Sequence, residues 1–202
     1  YNFIEHYEIS FIIVFIVLVT LLILYIVYEN HTRNKELLKY AQTDALTGLY
    51  NKETTEQLTD ELLSEDENKS HAFLILDVDC FKQINDIYGH AVGDIVLQKF
   101  GKLLKGTFRE GDILGRIGGD EFGVIMKNIQ TKDIAMKKAG ELLAKTQAYR
   151  IDELKGNNIS ISIGISTAPQ DGDCYMDLYK RADQALYQAK RSGKARVCNY
   201  FS

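Results

Sequence analysis

The sequence predicts an α+β domain on a ferredoxin-like βαββαβ plan, preceded by one transmembrane helix. Three observations carry that expectation. Ile9 to Tyr28 contains no charged residue. Ala72-Phe73-Leu74-Ile75-Leu76 is short, continuously apolar and closed by acids, the pattern of a strand buried on both faces. Ile159, Ile161, Ile163 and Ile165 alternate with Ser160, Ser162, Gly164 and Ser166, which predicts a half-buried strand.

The elements follow in chain order. At 1.5 Å per residue, about 20 residues span about 30 Å, the thickness of a bilayer core. A cleaved signal peptide has a shorter apolar core and a basic start. This segment follows Glu5 and Glu8 and runs into Tyr28-Glu29-Asn30, so a permanent anchor is expected. Arg33, Lys35 and Lys39 come after it and no lysine or arginine comes before, which places the C-terminal part in the cytoplasm. The expected division is an extracytoplasmic stub at 1–8, a span at 9–28, a linker helix at 29–42 and one domain at 43–202. The linker, with Leu37, Leu38 and Ala41, is expected to pair with its twin in a dimer. The chain begins with tyrosine, so it is expected to be part of a longer sensor.

Thr43-Asp44 is suited to cap a helix a few residues later. Ser64 to Ser70 reads as a charged loop. Three helical stripes are expected to pack on the core. They are Leu97, Phe100, Leu103 and Leu104; Ile134, Ala135, Ala139, Leu142, Leu143 and Thr146; and Leu178, Tyr179, Ala182, Ala185, Leu186 and Ala189. Ile113-Leu114-Gly115-Arg116-Ile117 and Phe122-Gly123-Val124-Ile125-Met126 read as a hairpin. A terminal strand is expected near Ala195–Tyr200.

Two acidic sites fall at the ends of these strands. Gly118-Gly119-Asp120-Glu121-Phe122 forms the hairpin tip, where glycines let another group approach the backbone and two carboxylates follow. Such a tip suits a divalent metal carrying phosphates, because hard cations take oxygen ligands. Taken alone, it equally fits a solvated turn. Asp77-Val78-Asp79 closes the first strand, with Asp77 and Asp79 facing one way and the Val78 side chain the other. Asp77 is the better ligand candidate, with the Val78 carbonyl beside it. Asp79 also fits a helix cap or an Asx turn.

Taken in order, these motifs resemble the GGDEF domain, the catalytic module of diguanylate cyclases. The resemblance covers roughly residues 40–200. It rests on Asp44-Ala45-Leu46-Thr47-Gly48-Leu49-Tyr50-Asn51-Lys52, the run from Asp77 to Asp86, Tyr88-Gly89-His90-Ala91-Val92-Gly93-Asp94 and the GGDEF turn. Ser160 to Ile165 and Ala182 to Lys190 complete it. The family often has proline where this chain has Ala45 and Tyr50, and arginine at Lys52. The resemblance implies a palm-type nucleotidyl cyclase sheet. It implies two GTP condensed to cyclic di-GMP and two pyrophosphates by a homodimer at a bacterial inner membrane, the catalytic domain cytoplasmic.

The same resemblance assigns roles. Asp77, the Val78 backbone and Asp120 hold Mg²⁺, for which Mn²⁺ can substitute; an all-oxygen set suits these ions better than zinc. Asp120 or Glu121 handles the proton of the attacking 3′-hydroxyl. Lys82, at a helix start, contacts phosphate, although on its own it fits a solvated lysine. Lys190 and Lys194 are phosphate-binding positions, with lysine at 194 where arginine is frequent; on their own they complement a helix dipole. Asn85 and Asp94 select the base, since an ionised Asp accepts from the N1–H and N2–H₂ donors that guanine presents and adenine lacks. Without the resemblance, Asn85 fits a turn and Asp94 a helix cap. His90 borders the nucleotide or serves the loop. Arg109-Glu110-Gly111-Asp112 ends six residues before the GGDEF turn and matches the family's RxxD site for inhibitory cyclic di-GMP. On its own it fits a surface loop with an internal ion pair.

Composition excludes other classes. The net charge of −4 argues against a nucleic-acid partner held by counterion release. Lys137-Lys138 read as a solvated helix face. Three widely spaced cysteines, Cys80, Cys174 and Cys198, give neither a disulfide framework nor a zinc spacing. The alternative function is a non-catalytic GGDEF module sensing GTP or cyclic di-GMP, against which Asp77, Lys82, Asp120 and Glu121 argue. A cyclase using ATP is the third reading, which Asp94 disfavours.

Overall fold

The computed structural model describes residues 2–65 and 69–200, with side chains at 15–33, 41–65 and 69–200. The chain divides into two compact units, Tyr1–Ala41 and Gln42–Ser202. The first is one helix, α1, Asn2–Gln42, which ends on the first residue of the second. Within it Phe15–Arg33 is long and apolar enough to cross a membrane, and none of that window is buried. Thr20 donates its hydroxyl to the Ile16 carbonyl at 3.0 Å and Thr32 to that of Tyr28 at 3.0 Å. Each hydroxyl is thus satisfied inside the helix, as an apolar phase requires. The side chains of 1–14 and 34–40, which carry part of the expected span and the expected pairing helix, lie outside the described residues.

The second unit begins with a turn. Asp44 accepts from Thr47 N at 2.8 Å and Thr47 Oγ1 at 2.7 Å, so it closes this turn instead of capping a helix. Asn51 is the cap: its Oδ1 accepts from Thr54 N at 2.9 Å, in the first turn of α2, Lys52–Glu65. The expected loop after Ser64 starts later, since α2 runs through Glu65; 66–68 lie outside the described residues.

Strand β1, His71–Val78, is followed by α3, Phe81–Tyr88, and α4, His90–Lys105. Gly89, at φ 86° and ψ 157°, separates the two helices with a backbone that a side chain disfavours. The hairpin β2, Ile113–Arg116, and β3, Glu121–Met126, comes next, then α5, Lys132–Ala148. A two-stranded hairpin not anticipated from the pattern, β4 Arg150–Ile151 and β5 Asn157–Asn158, precedes β6, Ile161–Ala168. Helix α6, Tyr175–Arg191, and β7, Val197–Asn199, complete the domain.

The main sheet has the order β2-β3-β1-β6-β7, antiparallel except for the last pair. This is the ferredoxin-like α+β plan with β7 added. One face carries Leu74, Leu76, Phe122, Val124, Ile161 and Ile163 against Val96, Phe100 and Leu142 of α4 and α5. Phe100 and Phe122 meet edge to face at 4.9 Å, a geometry contributing about 0.5–1.5 kcal/mol beyond area burial. The other face carries Phe73, Ile75 and Ile125 against Leu62 and Leu63 of α2 and Tyr175, Leu178 and Leu186 of α6.

Strand β6 departs from the expected half-buried strand: all eight residues are buried. Its small polar residues face α6 instead of water. Ser166 donates to the Leu178 carbonyl at 2.8 Å, and Ser162 to Asp79 at 2.7 Å. At Gly164 an added Cβ would lie 2.1 Å from the Ala182 carbonyl oxygen, so α6 packs directly on the β6 backbone. On α5 the expected stripe overreaches: Ile134 is 39% exposed, while Ala135, Ala139, Leu142 and Thr146 are buried.

Candidate active site

The end of β1 is the centre of the site. Asp77 sits opposite Glu121 of β3 and Ser162 of β6, on the face that α6 covers. Its Oδ2 lies 2.6 Å from Lys190 Nζ, in the last turn of α6. Burial pushes the Asp77 carboxyl above its ordinary value; the Lys190 ammonium works against this, and the Asp120 and Glu121 charges reinforce it. Val78 is fully buried, and its N–H donates to the Asp120 carbonyl at 3.2 Å. That bond fastens the strand end to the hairpin tip.

The tip is held from several sides. Ile117 and Gly118 N–H both donate to the Glu121 carbonyl, at 3.0 and 3.2 Å. A Cβ at Gly118 would sit 2.9 Å from Glu121 Oε2, so a side chain there would displace the Glu121 carboxylate. Arg116 donates from Nε and Nη2 to the Gly119 carbonyl at 3.1 and 2.7 Å. Asp120 and Glu121 are half-buried. Donor chemistry therefore fits a hard divalent cation: carboxylates of Asp77, Asp120 and Glu121 with peptide carbonyls beside them. The carboxylate oxygens of those three residues do not all lie within 4.8 Å of one another. Among the described residues, the one group of three such ligand atoms within 4.8 Å of one another is Asp173, Cys174 and Asp177, at the start of α6.

Asp79 has a different task from its neighbour. Its Oδ1 accepts from Ser162 Oγ at 2.7 Å, and its Oδ2 from Ser160 Oγ at 2.6 Å and Ala195 N at 3.1 Å. It ties the β1 end to β6 and to the α6–β7 loop, and does not cap α3. Lys194, at φ 60° in that loop, points Nζ at Cys80 Sγ, 3.1 Å away. Contact with the Cys80 sulfur holds the Lys194 ammonium above its ordinary pKa. Lys190 and Lys194 thus converge on the same strand end, with Lys82 exposed in the first turn of α3.

The base-selecting candidates lie on the adjoining helices. Asn85 is half-buried in α3; its Oδ1 is buried without a hydrogen-bond partner and rests against Gly93 of α4, where a Cβ would clash at 1.9 Å. His90 and Asp94 are exposed one turn apart in α4. Since α4 starts at His90, Asp94 is not its cap.

Arg109 and Asp112 sit at the opposite end of the hairpin from the tip. The Asp112 side chain is 3% exposed and accepts from Arg109 N and Lys127 N, both at 3.1 Å. Arg109 Nη2 donates to the Lys127 carbonyl at 2.9 Å while its side chain stays 64% exposed. The Asp is internal to the loop; the guanidinium is accessible.

Sequence reasoning missed Arg116, which also contacts Asp44 Oδ1 and Oδ2 at 3.3 and 3.1 Å. Burial works to raise the Asp44 carboxyl, but the Thr47 bonds and the Arg116 charge outweigh it and leave it below the ordinary value. A salt bridge joining positions 72 residues apart leaves no periodic signal.

The five-stranded sheet, the glycine-acid hairpin tip and the acidic strand end beside it define an α+β domain with its candidate site at the ends of the central strands. The family described as "Diguanylate cyclase, GGDEF domain" matches residues 41–196, and the chain belongs to that family. The chain is similar to Diguanylate cyclase A of Treponema denticola, at 36% identity over 170 residues, covering 81% of this chain and 46% of that protein. The solved GGDEF domain of TpbB from Pseudomonas aeruginosa superposes with a TM-score of 0.74 at 33% identity, covering 79% of this chain and 94% of that one. That of DgcB from Caulobacter crescentus, in complex with c-di-GMP, gives 0.74 at 26% identity, covering 80% and 94%. This chain spans about half the length of the curated relatives it matches.

Proposed function

We propose that this chain is the membrane-anchored part of a diguanylate cyclase that joins two GTP into cyclic di-GMP. The observation that carries the reading is the meeting of Asp77, the Asp120–Glu121 tip and two lysines at one strand end. In each half-reaction the 3′-oxygen of one GTP attacks the α-phosphorus of the other. The bond to the β-phosphate breaks and pyrophosphate leaves. Two head-to-head subunits each present one GTP.

Asp77, the Val78 carbonyl and Asp120 would hold Mg²⁺ or Mn²⁺, which when bound supplies charge neutralisation at the triphosphate and at the attacking oxygen. Asp120 or Glu121 takes the 3′-hydroxyl proton; adjacent acids titrate as a set. Lys82, Lys190 and Lys194 neutralise phosphate oxygens. Asp94 accepts from the guanine Watson–Crick edge, Asn85 adds a donor and an acceptor, and His90 borders the nucleotide. Arg109, with Asp112 shaping its loop, receives product for feedback inhibition. The helix containing Phe15–Arg33 anchors the chain in a bacterial inner membrane, with the catalytic domain cytoplasmic.

The test is incubation of the full chain in detergent with Mg²⁺ and either GTP or ATP, followed by identification of products. Cyclic di-GMP from GTP alone, lost in Asp120→Asn, is expected. Asp94→Ser should lower the GTP/ATP ratio of kcat/KM. Binding of GTP without any cyclic product would leave a sensing module and sink the enzyme.

A further inference from the structure

The Lys190–Asp77 contact places a phosphate-binding candidate on a metal-ligand candidate. Lys190 Nζ and Asp77 Oδ2 are 2.6 Å apart, and the Asp77 side chain is only 9% exposed. A carboxylate so enclosed needs a counter-charge, and Lys190 supplies it at the strand end. Asp120 and Glu121 add negative charge around the same point.

Lys190 also has open space beside it. Its side chain is 35% exposed and stands in the last turn of α6, beside an open concavity of about 840 Å³ lined by Tyr187, Lys190, Arg191 and Ser192. The lysine stem is long and flexible, and its head is a compact point charge. Lys194, four residues on, directs Nζ to Cys80 and not to a carboxylate. The two lysines therefore differ in what they compete with.

We infer that Lys190 is an exchangeable counter-ion of Asp77, so that a divalent cation enters the site by displacing the ammonium. This rests on the cyclase reading above and adds a regulation to it. Lys190 guards the acidic site against the bare cation. Once released, its ammonium reaches the phosphates of the incoming nucleotide. Metal and nucleotide binding then reinforce one another through one side chain, because each favours the released lysine over the paired one.

The test uses the full chain in detergent, titrated with Mn²⁺ without nucleotide and followed by the electron paramagnetic resonance of the free ion. Lys190→Met is expected to bind Mn²⁺ about tenfold more tightly than the wild type, a shift set by loss of the competing ion. Lys194→Met removes the same charge from the same edge and is expected to change affinity less than about threefold. Lys190→Arg, which keeps the pairing, should bind no tighter than the wild type. Should Lys190→Met fold poorly, Mn²⁺ should still raise its thermal midpoint more than that of the wild type, by linkage. Equal or weaker Mn²⁺ binding by Lys190→Met would overturn the inference. So would an equal gain in Lys194→Met, which would mark a general field effect, or a lack of Mn²⁺ binding in every variant. Cyclic dinucleotide formation by the wild type in the same preparation separates these failures from failure of the cyclase reading itself.

Discussion

Arg116 joins Asp44 to the hairpin tip: Nη1 lies 3.1 Å from Asp44 Oδ2, while Nε and Nη2 grip the Gly119 carbonyl. The first residues of the domain are therefore tied directly to the peptide preceding Asp120. Backbone bonds run beside this link, since Tyr50 N donates to Leu114 O at 3.0 Å and Arg116 N to Tyr50 O at 2.8 Å. The turn that follows α1 and the hairpin tip form one hydrogen-bonded block.

Arg116→Lys tests what the fork does. Lysine keeps the charge but cannot hold a carboxylate and a carbonyl in one planar geometry. On the cyclase reading proposed above, the expected result is a fall in kcat of about tenfold with little change in KM, because loosening the tip misplaces groups around the reacting atoms. The thermal midpoint should move little. An unchanged kcat would reduce Arg116 to a structural tie.

Asp44 gives a pH dependence with a definite sign. Its folded pKa lies below the ordinary 3.8, since the Thr47 bonds and Arg116 outweigh the upward push of burial. A depressed carboxyl contributes stability that is complete above the unfolded value and is lost as pH falls through the folded value. The gap in thermal midpoint between wild type and Asp44→Asn should be constant near neutrality and close below about pH 4. A gap that widens on acidification would contradict the assigned direction.

Gly164→Ala should be among the most damaging single-methyl additions in this domain. The new Cβ would lie 2.1 Å from Ala182 O and 2.3 Å from Leu186 N, both backbone atoms of α6. No rotamer relieves a backbone clash, so α6 must shift away from β6. Overpacking of this kind costs about 1–3 kcal/mol. A drop of several degrees in thermal midpoint is expected, with weakening of the Lys190–Asp77 contact that α6 positions. A midpoint equal to the wild type would mean that the helix packs less tightly than described.

Most of the fold was legible because its periodicities are strong. The run 72–76 announced a central strand, and the glycine-acid tip announced the hairpin. β6 misled because Ser162, Gly164 and Ser166 look solvated in sequence, yet their small size is what lets α6 close over them. Of the candidate site, residue types at strand ends were readable, but pairings were not. Nothing in the sequence says that Asp79 would be consumed by Ser160 and Ser162, or that Lys190 at the end of α6 would meet Asp77 at the end of β1. Such contacts depend on register and helix placement, which no local pattern encodes.

Arg109 and Asp112 should separate under mutation. Asp112 is buried and accepts two backbone N–H groups, from Arg109 and Lys127. Asp112→Ala leaves both donors unpaired, which costs about 1–3 kcal/mol, so the thermal midpoint should fall. Arg109 is mostly exposed, and its loss should leave stability nearly unchanged. If the guanidinium receives cyclic di-GMP, Arg109→Ala deletes charge-assisted bonds of about 1.5–3 kcal/mol, raising the inhibitor Kd by about tenfold or more. Product can inhibit only by favouring an arrangement that keeps the two GTP sites apart, so the chemical step itself should be intact. Initial rates without added product should match the wild type, while titration with cyclic di-GMP at fixed GTP should show weaker inhibition. Superimposable inhibition curves would leave Arg109 as a surface arginine clasping the Lys127 carbonyl, and the feedback site would have to be sought elsewhere.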